Sequence, residues 1–136
     1  MSAQQDNPRL TITLTGRPPV SVTKANWPVL GEATDKDWDN QYECQANRTW
    51  KWTLRVRHHA DGRAIVYGIY AYTTHYQGEN ECHVRGGELL APNDDIPAAI
   101  LRVAAWMQER AKADAEGRFE SLAHQCIASL PAESLD

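Results

Sequence analysis

Arg55, Arg57, His58, His59 and Arg63 form the densest run of cations in the chain. Side chains of this kind, so closely spaced, hold anions, and in a nucleic-acid binder they meet phosphates. Trp50 and Trp52 stand just before them and could supply base stacking. Stacking and phosphate contact need one shared surface, however. The indoles fall out of phase with the arginines, so the pattern reads first as the solvated face of a strand and its turn. A nucleic-acid-binding module using Arg55, Arg57, His59 and Arg63 stands as the alternative.

A second group is acidic. Asp35, Asp37 and Asp39 alternate as in a calcium loop, but the sixth place is Asn40 where glycine is needed and the twelfth is Ala46 where a bidentate glutamate is needed. The segment "TDKDWDNQYE" therefore reads as an exposed acidic loop. Loops of this length in small domains are often functional. Tryptophans on irregular segments make good interface anchors, and acids can occupy a partner's nucleic-acid-binding groove. Trp27, Asp35, Asp37, Trp38 and Asp39 are the expected partner-binding residues.

Catalytic signals are absent from the sequence. Zinc needs short paired ligand spacings, and His58, His59, His75, His83, His124, Cys44, Cys82 and Cys126 supply none. Cys82 and His83 are neighbours and would point to opposite faces of a strand. No G-x-S-x-G, phosphate-binding loop or dinucleotide fingerprint occurs. Asp94-Asp95 reads as a helix start rather than an acid/base pair. The second C-terminal helix carries too few cations for a major-groove reader. A protein without catalytic activity, cofactor or metal is expected, with a metal-dependent enzyme as the remoter alternative.

The totals agree with a binding protein. At 136 residues, 42% hydrophobic and 24% charged, the chain has the size and balance of one globular domain. Its net charge of −4 argues against a general nucleic-acid binder. Charge is uneven: Lys51, Arg55, Arg57 and Arg63 oppose only Asp61 in residues 50–63, while residues 94–136 hold eight acids against four bases. Three widely spaced cysteines fit reduced thiols. "MSAQQDNPRL" has no signal-like apolar run and no stretch reaches the ~18 apolar residues of a membrane helix. A cytoplasmic protein with no membrane partner is expected, and "NRT" at 47–49 is then a chance glycosylation match.

The elements that position these groups follow from periodicity. "RLTITLT" puts Leu10, Ile12 and Leu14 on one face, and "VSVT" gives a short partner strand. Residues 24–49 show no clear period, with Pro28 opposing any regular element through it. Trp50, Trp52, Leu54 and Val56 alternate with Lys51, Thr53, Arg55 and Arg57, and Asp61-Gly62 marks a hairpin. In "AIVYGIYAYTT" both faces are apolar, which predicts a central strand packed on both sides. "CHVRGGELL" predicts a last strand weakened by Gly86-Gly87. Ile96, Ala99, Ile100, Val103, Ala104 and Met107 then recur at helical spacing, with Asp94 or Asp95 as cap and Pro97 in the first turn. That helix is expected to reach about Ala115, with Gly117 breaking it from a second helix bearing Phe119, Leu122, Ala123, Cys126, Ile127 and Leu130.

The fold class is α+β: an antiparallel sheet of four to five strands followed by two C-terminal helices packed on it. Residues 1–8 are expected to be a disordered tail, 9–131 a single domain and 132–136 a C-terminal tail.

"WPVL" at 27–30, "RVRHHADGRAIVYG" at 55–68, "RGGELL" at 85–90 and "CIASLPAESL" at 126–135 together carry a resemblance. The chain resembles a group of small uncharacterised proteins of proteobacterial plasmids and integrative elements. The resemblance implies an acidic, non-enzymatic α+β protein that binds another protein, of the kind that inhibits host defence complexes such as anti-CRISPR and antirestriction proteins. A homodimer would be compatible with that role.

Overall fold

The computed structural model describes residues 8–39, 48–74, 82–111 and 117–132, and at 37–39, 48–49, 73–74 and 82 it describes the backbone alone. Strands β1 (Arg9–Ile12) and β2 (Val20–Thr23) form a two-stranded hairpin. A 3-10 turn (Lys24–Asn26) leads into β3 (Val29–Asp39), followed by β4 (Arg48–His58), β5 (Ala64–Thr74) and β6 (Cys82–Leu90). These four make an antiparallel sheet in the order β3-β4-β5-β6. Helices α1 (Ile96–Ala111) and α2 (Arg118–Ala128) close the chain. The α+β class expected from the sequence is the fold found.

The helices cover one face of the sheet and the hairpin covers part of the other, which explains the two apolar faces of β5. Trp52, Leu54, Val56, Val66 and Tyr70 face the helices and pack with Ile100, Val103, Met107, Phe119, Leu122 and Cys126. On the opposite face Ile65 and Tyr67 meet Ile12, Leu14 and Val22 of the hairpin, together with Trp27. The hairpin also reaches the far edge of the sheet. The N–H of Thr15 donates to the carbonyl of Gly87 at 2.9 Å, and Thr15 Oγ1 accepts from the Gly87 N–H at 3.2 Å.

Gly68 and Gly86 are cross-strand partners on the helix face. A Cβ at Gly68 would come 2.7 Å from Met107 Cγ, and one at Gly86 would come 2.5 Å from Trp106 Cζ3. The pair forms a shallow trough that lets α1 lie close on β5 and β6. Of the two glycines expected to weaken β6, Gly86 instead seats the helix, while Gly87 lies against Tyr67 of β5 and bonds Thr15. Asp95 caps α1, its Oδ1 accepting from the Ala98 N–H at 3.0 Å, while Asp94 Oδ2 turns back to accept from the Ala91 N–H at 2.8 Å. The α2 N-terminus is capped from outside: Gln108 Oε1 accepts from the Phe119 N–H at 3.0 Å. The expected extension of α1 to Ala115 lies outside the described residues.

The largest correction concerns residues 24–49. Residues 34–39, read as an exposed loop, belong to the eleven-residue strand β3. An edge strand needs only one buried face, and here Gly31, Ala33 and Asp35 point inward rather than large apolar residues. The inward side is crowded: a Cβ at Gly31 would lie 2.8 Å from Leu130 Cδ2 and Ser129 Oγ. Small residues are required where the end of α2 presses on the strand, so the usual alternation signal is missing.

Candidate functional site

Among the described residues strand β3 is an edge of the sheet with no strand beyond it. The N–H of Glu32 donates to Ser129 Oγ at 2.9 Å, and that hydroxyl donates to the Cys126 carbonyl at 2.6 Å. The Glu32 peptide therefore points away from β4. By strand alternation the peptides of Thr34 and Lys36 point the same way. Neither has a backbone hydrogen-bond partner on that side among the described residues. Both side chains are exposed. At eleven residues the strand is about 36 Å long, roughly twice the usual length. Exposed edges of that kind are templates for pairing with another chain.

Of the expected partner-binding acids, Asp35 is ion-paired inside the molecule, and so is Glu32 on the same strand. Glu32 Oε1 lies 2.6 Å from Arg55 Nε. Asp35 Oδ2 lies 2.6 Å from Arg118 Nη1, and the Arg118 guanidinium sits 4.2 Å from the centre of the Trp52 ring. Trp52 is 1% exposed, and its Nε1 has no hydrogen-bond partner among the described residues. The side chains of Asp37, Trp38 and Asp39 lie outside the described residues; their backbones continue β3 opposite Trp50, Thr49 and Arg48.

Trp27, expected to be exposed, is 7% exposed. The 3-10 turn folds it back: its N–H donates to the Thr23 and Lys24 carbonyls, both at 3.2 Å. The ring lies under the basic turn, 5.0 Å from the His59 ring and 5.1 Å from the Arg63 guanidinium. Its role is to anchor that turn.

The cations of the opening cluster also have internal partners. Arg57 donates from Nε to Tyr67 Oη and from Nη1 to the Trp27 carbonyl, each at 3.0 Å. Arg63 Nε donates to Asp61 Oδ2 at 2.8 Å, and His59 Nδ1 accepts from the Asp61 N–H at 3.0 Å. The Arg63 backbone N–H, aided by its guanidinium, holds the Asp61 carboxyl below its usual range. Burial disfavours the Arg55 charge, but hydrogen bonds to Tyr67 and Glu32 outweigh it and raise the pKa. Trp50 is partly buried against Tyr72 at 5.3 Å, and its neighbour Trp52 is enclosed, so the indoles do not share a surface with these arginines.

Among the described residues no three His, Cys, Asp or Glu side chains are placed to hold a metal ion. Cys44 and His75 lie outside those residues, as does the Cys82 side chain. Cys126 is buried between α2 and the sheet, and burial first, then Glu32, pushes its thiol up to about 11. Among the described residues no helix is long and apolar enough to cross a membrane.

The open β3 edge is the feature that sequence reasoning missed. Its signal was the exposed set Glu32, Thr34, Lys36 alternating with Gly31, Ala33, Asp35, a polar alternation with small residues on the inner side. No protein-family model matches the chain, and no curated protein and no solved structure matches it.

Proposed function

We propose that this is a non-enzymatic protein-binding protein that captures a partner by adding the free edge of β3 to an extended segment of that partner. The observation that carries the reading is the pair of outward peptides at Thr34 and Lys36 on an edge strand of eleven residues. Main-chain hydrogen bonds supply affinity in strand addition, and alternate side chains supply specificity. The inner side of β3 is held by α2 through Ser129 and Arg118, so the edge is presented by a rigid support. Because Glu32 and Asp35 are already ion-paired, the peptides carry this reading more than the carboxylates do. The resemblance to proteins of mobile genetic elements supports a host nuclease or defence complex as the partner class, with the chain acting as an inhibitor in the cytoplasm.

The test uses Thr34→Pro. Proline is tolerated on an edge strand where the lost N–H faced solvent, so the ladder to β4 is retained. Immobilised wild-type protein should deplete a nuclease activity from host lysate. Thr34→Pro, with an unchanged melting temperature, should not. Equal depletion by both proteins, or none by the wild type, overturns the proposal.

A further inference from the structure

The hairpin β1–β2 covers only part of the sheet face opposite the helices. Register places Lys36, Lys51 and His83 in one cross-strand row on the uncovered end of that face. Arg85 stands in the next row, about 6.7 Å along the strands, and Arg55 with Glu32 in the row after it. Lys36, Lys51, His83 and Arg85 are all exposed. Glu32 is the one acid in the three rows, so the patch carries four permanent cations against one carboxylate. The chain as a whole is acidic, so this concentration of positive charge is local.

Two further observations point to a ligand. Lys36 and Lys51 are directly opposite each other, and the outward turn of the Glu32 peptide makes theirs a non-hydrogen-bonded pair, with Cα atoms about 4.5 Å apart. Like charges so placed are destabilising, and neither lysine has an ion-pair partner among the described residues. Second, a cleft of about 250 Å³ opens between Arg55, Arg85 and the stretch Leu10–Thr13. The Lys24 N–H bonds the Pro8 carbonyl at 3.0 Å, so the even-numbered peptides of β1 face β2. The Thr11 and Thr13 peptides are left facing away from β2, on the edge beside the cleft. Guanidinium groups and free main-chain N–H groups together form an oxyanion site.

We infer that this uncovered end of the sheet binds the phosphodiester backbone of single-stranded nucleic acid, with one phosphate in the Arg55–Arg85 cleft and the next ones on the Lys36–Lys51 pair. The three rows carry no exposed Phe, Tyr or Trp side chain, so the strand is held through its phosphates, without base stacking. This surface is distinct from the Arg57–His59–Arg63 turn, where Arg57 donates to Tyr67 Oη and the Trp27 carbonyl and Arg63 is paired with Asp61. It shares β3 with the proposed protein-binding edge, and its test needs no protein partner.

Fluorescein-labelled oligo(dT) and oligo(rU) of twelve nucleotides would be titrated with the full chain and followed by anisotropy. Binding at low salt is expected, with log K falling against log salt with a slope of about −2 to −3, as three or four contacts to a single strand require. Lys51→Glu with Arg85→Glu should weaken binding at least tenfold, and Lys24→Glu, an exposed cation elsewhere, should leave it unchanged. Lys51→Glu alone converts a repulsive pair into an attractive one, so it should raise the melting temperature while weakening binding. That combination separates a ligand surface from a structural one. The inference is overturned by no binding at low salt, by equal losses in Lys24→Glu, by tighter binding of duplex DNA of the same length, or by equal binding of polyglutamate. Preference between oligo(dT) and oligo(rU) identifies which strand is the ligand.

Discussion

Asp35 and Arg118 meet at 2.6 Å across 83 residues of sequence, and the Arg118 guanidinium also lies 4.2 Å from the centre of the Trp52 ring. The contact ties the edge strand to the last helix and closes the core over an indole whose N–H has no partner among the described residues. Both ionic side chains are more than a quarter exposed, at 42% and 32%, so solvent screens the pair and its own contribution is small. The cation–π contact adds about 0.5–1 kcal/mol. Arg118→Ala is expected to cost about 1 kcal/mol in urea unfolding and to red-shift the tryptophan emission. Asp35→Asn should cost less, and in the Arg118→Ala background it should cost almost nothing.

The trough formed by Gly68 and Gly86 should tolerate a methyl unequally. At Gly86 the added atom meets the Trp106 ring at 2.5 Å, and the Arg110 guanidinium lies 4.0 Å from the centre of that ring. At Gly68 it meets the flexible Met107 side chain at 2.7 Å. Overpacking costs about 1–3 kcal/mol, and Gly86→Ala should sit at the upper end with Gly68→Ala at the lower. Thermal melts of the two variants rank them.

Cys126 makes a prediction about alkaline pH. Its thiol is raised to about 11 in the fold, above its value in the unfolded chain. In the window between those values the unfolded state has lost a proton that the folded state keeps. Stability therefore falls as pH rises through that window, and the contribution is fully present below it. In a Cys44→Ser, Cys82→Ser background, wild-type stability should decline more steeply from pH 9 to 11 than that of Cys126→Ala. The thiol should also resist alkylation at pH 8 until denaturant is added.

Asp61 behaves in the opposite sense. Its carboxyl is lowered by the Arg63 N–H and guanidinium, so the bond stabilises the turn above the ordinary carboxylate pKa and is lost as pH falls through the lowered one. Asp61→Asn should melt below the wild type at pH 7, and the difference should close in acid. A constant gap across that range would contradict the assignment.

The elements most legible in the sequence were those whose faces are distinguished by hydrophobicity. Trp52, Leu54 and Val56 against Thr53, Arg55 and Arg57 gave β4, Asp61-Gly62 gave the turn, and the recurrence from Ile96 to Met107 gave α1. Strand β3 was illegible because its inner positions are Gly31, Ala33 and Asp35, residues chosen for the closeness of α2 and for Arg118, contacts remote in sequence. Trp27 was misread for the same kind of reason: a local pattern sees an indole beside a proline, while its burial depends on a turn formed by residues thirty positions later. The expectation that Arg55 and Arg57 stand alone on an open face failed because the N-terminal hairpin folds over that end of the sheet. The cationic rows went unrecognised since Lys36, Lys51 and Arg85 are neighbours only after three strands pair.

The contact between Thr15 and Gly87 has a consequence for assembly. It obstructs one flank of the sheet at its midpoint, whereas on the flank made by β3 the Thr34 and Lys36 peptides have no backbone partner among the described residues. A ribbon growing through the four-stranded sheet needs two available flanks of that sheet per subunit; among the described residues it offers one. If two copies join through that flank, each uses up the other's means of extension, and association ends with a closed pair instead of a fibre.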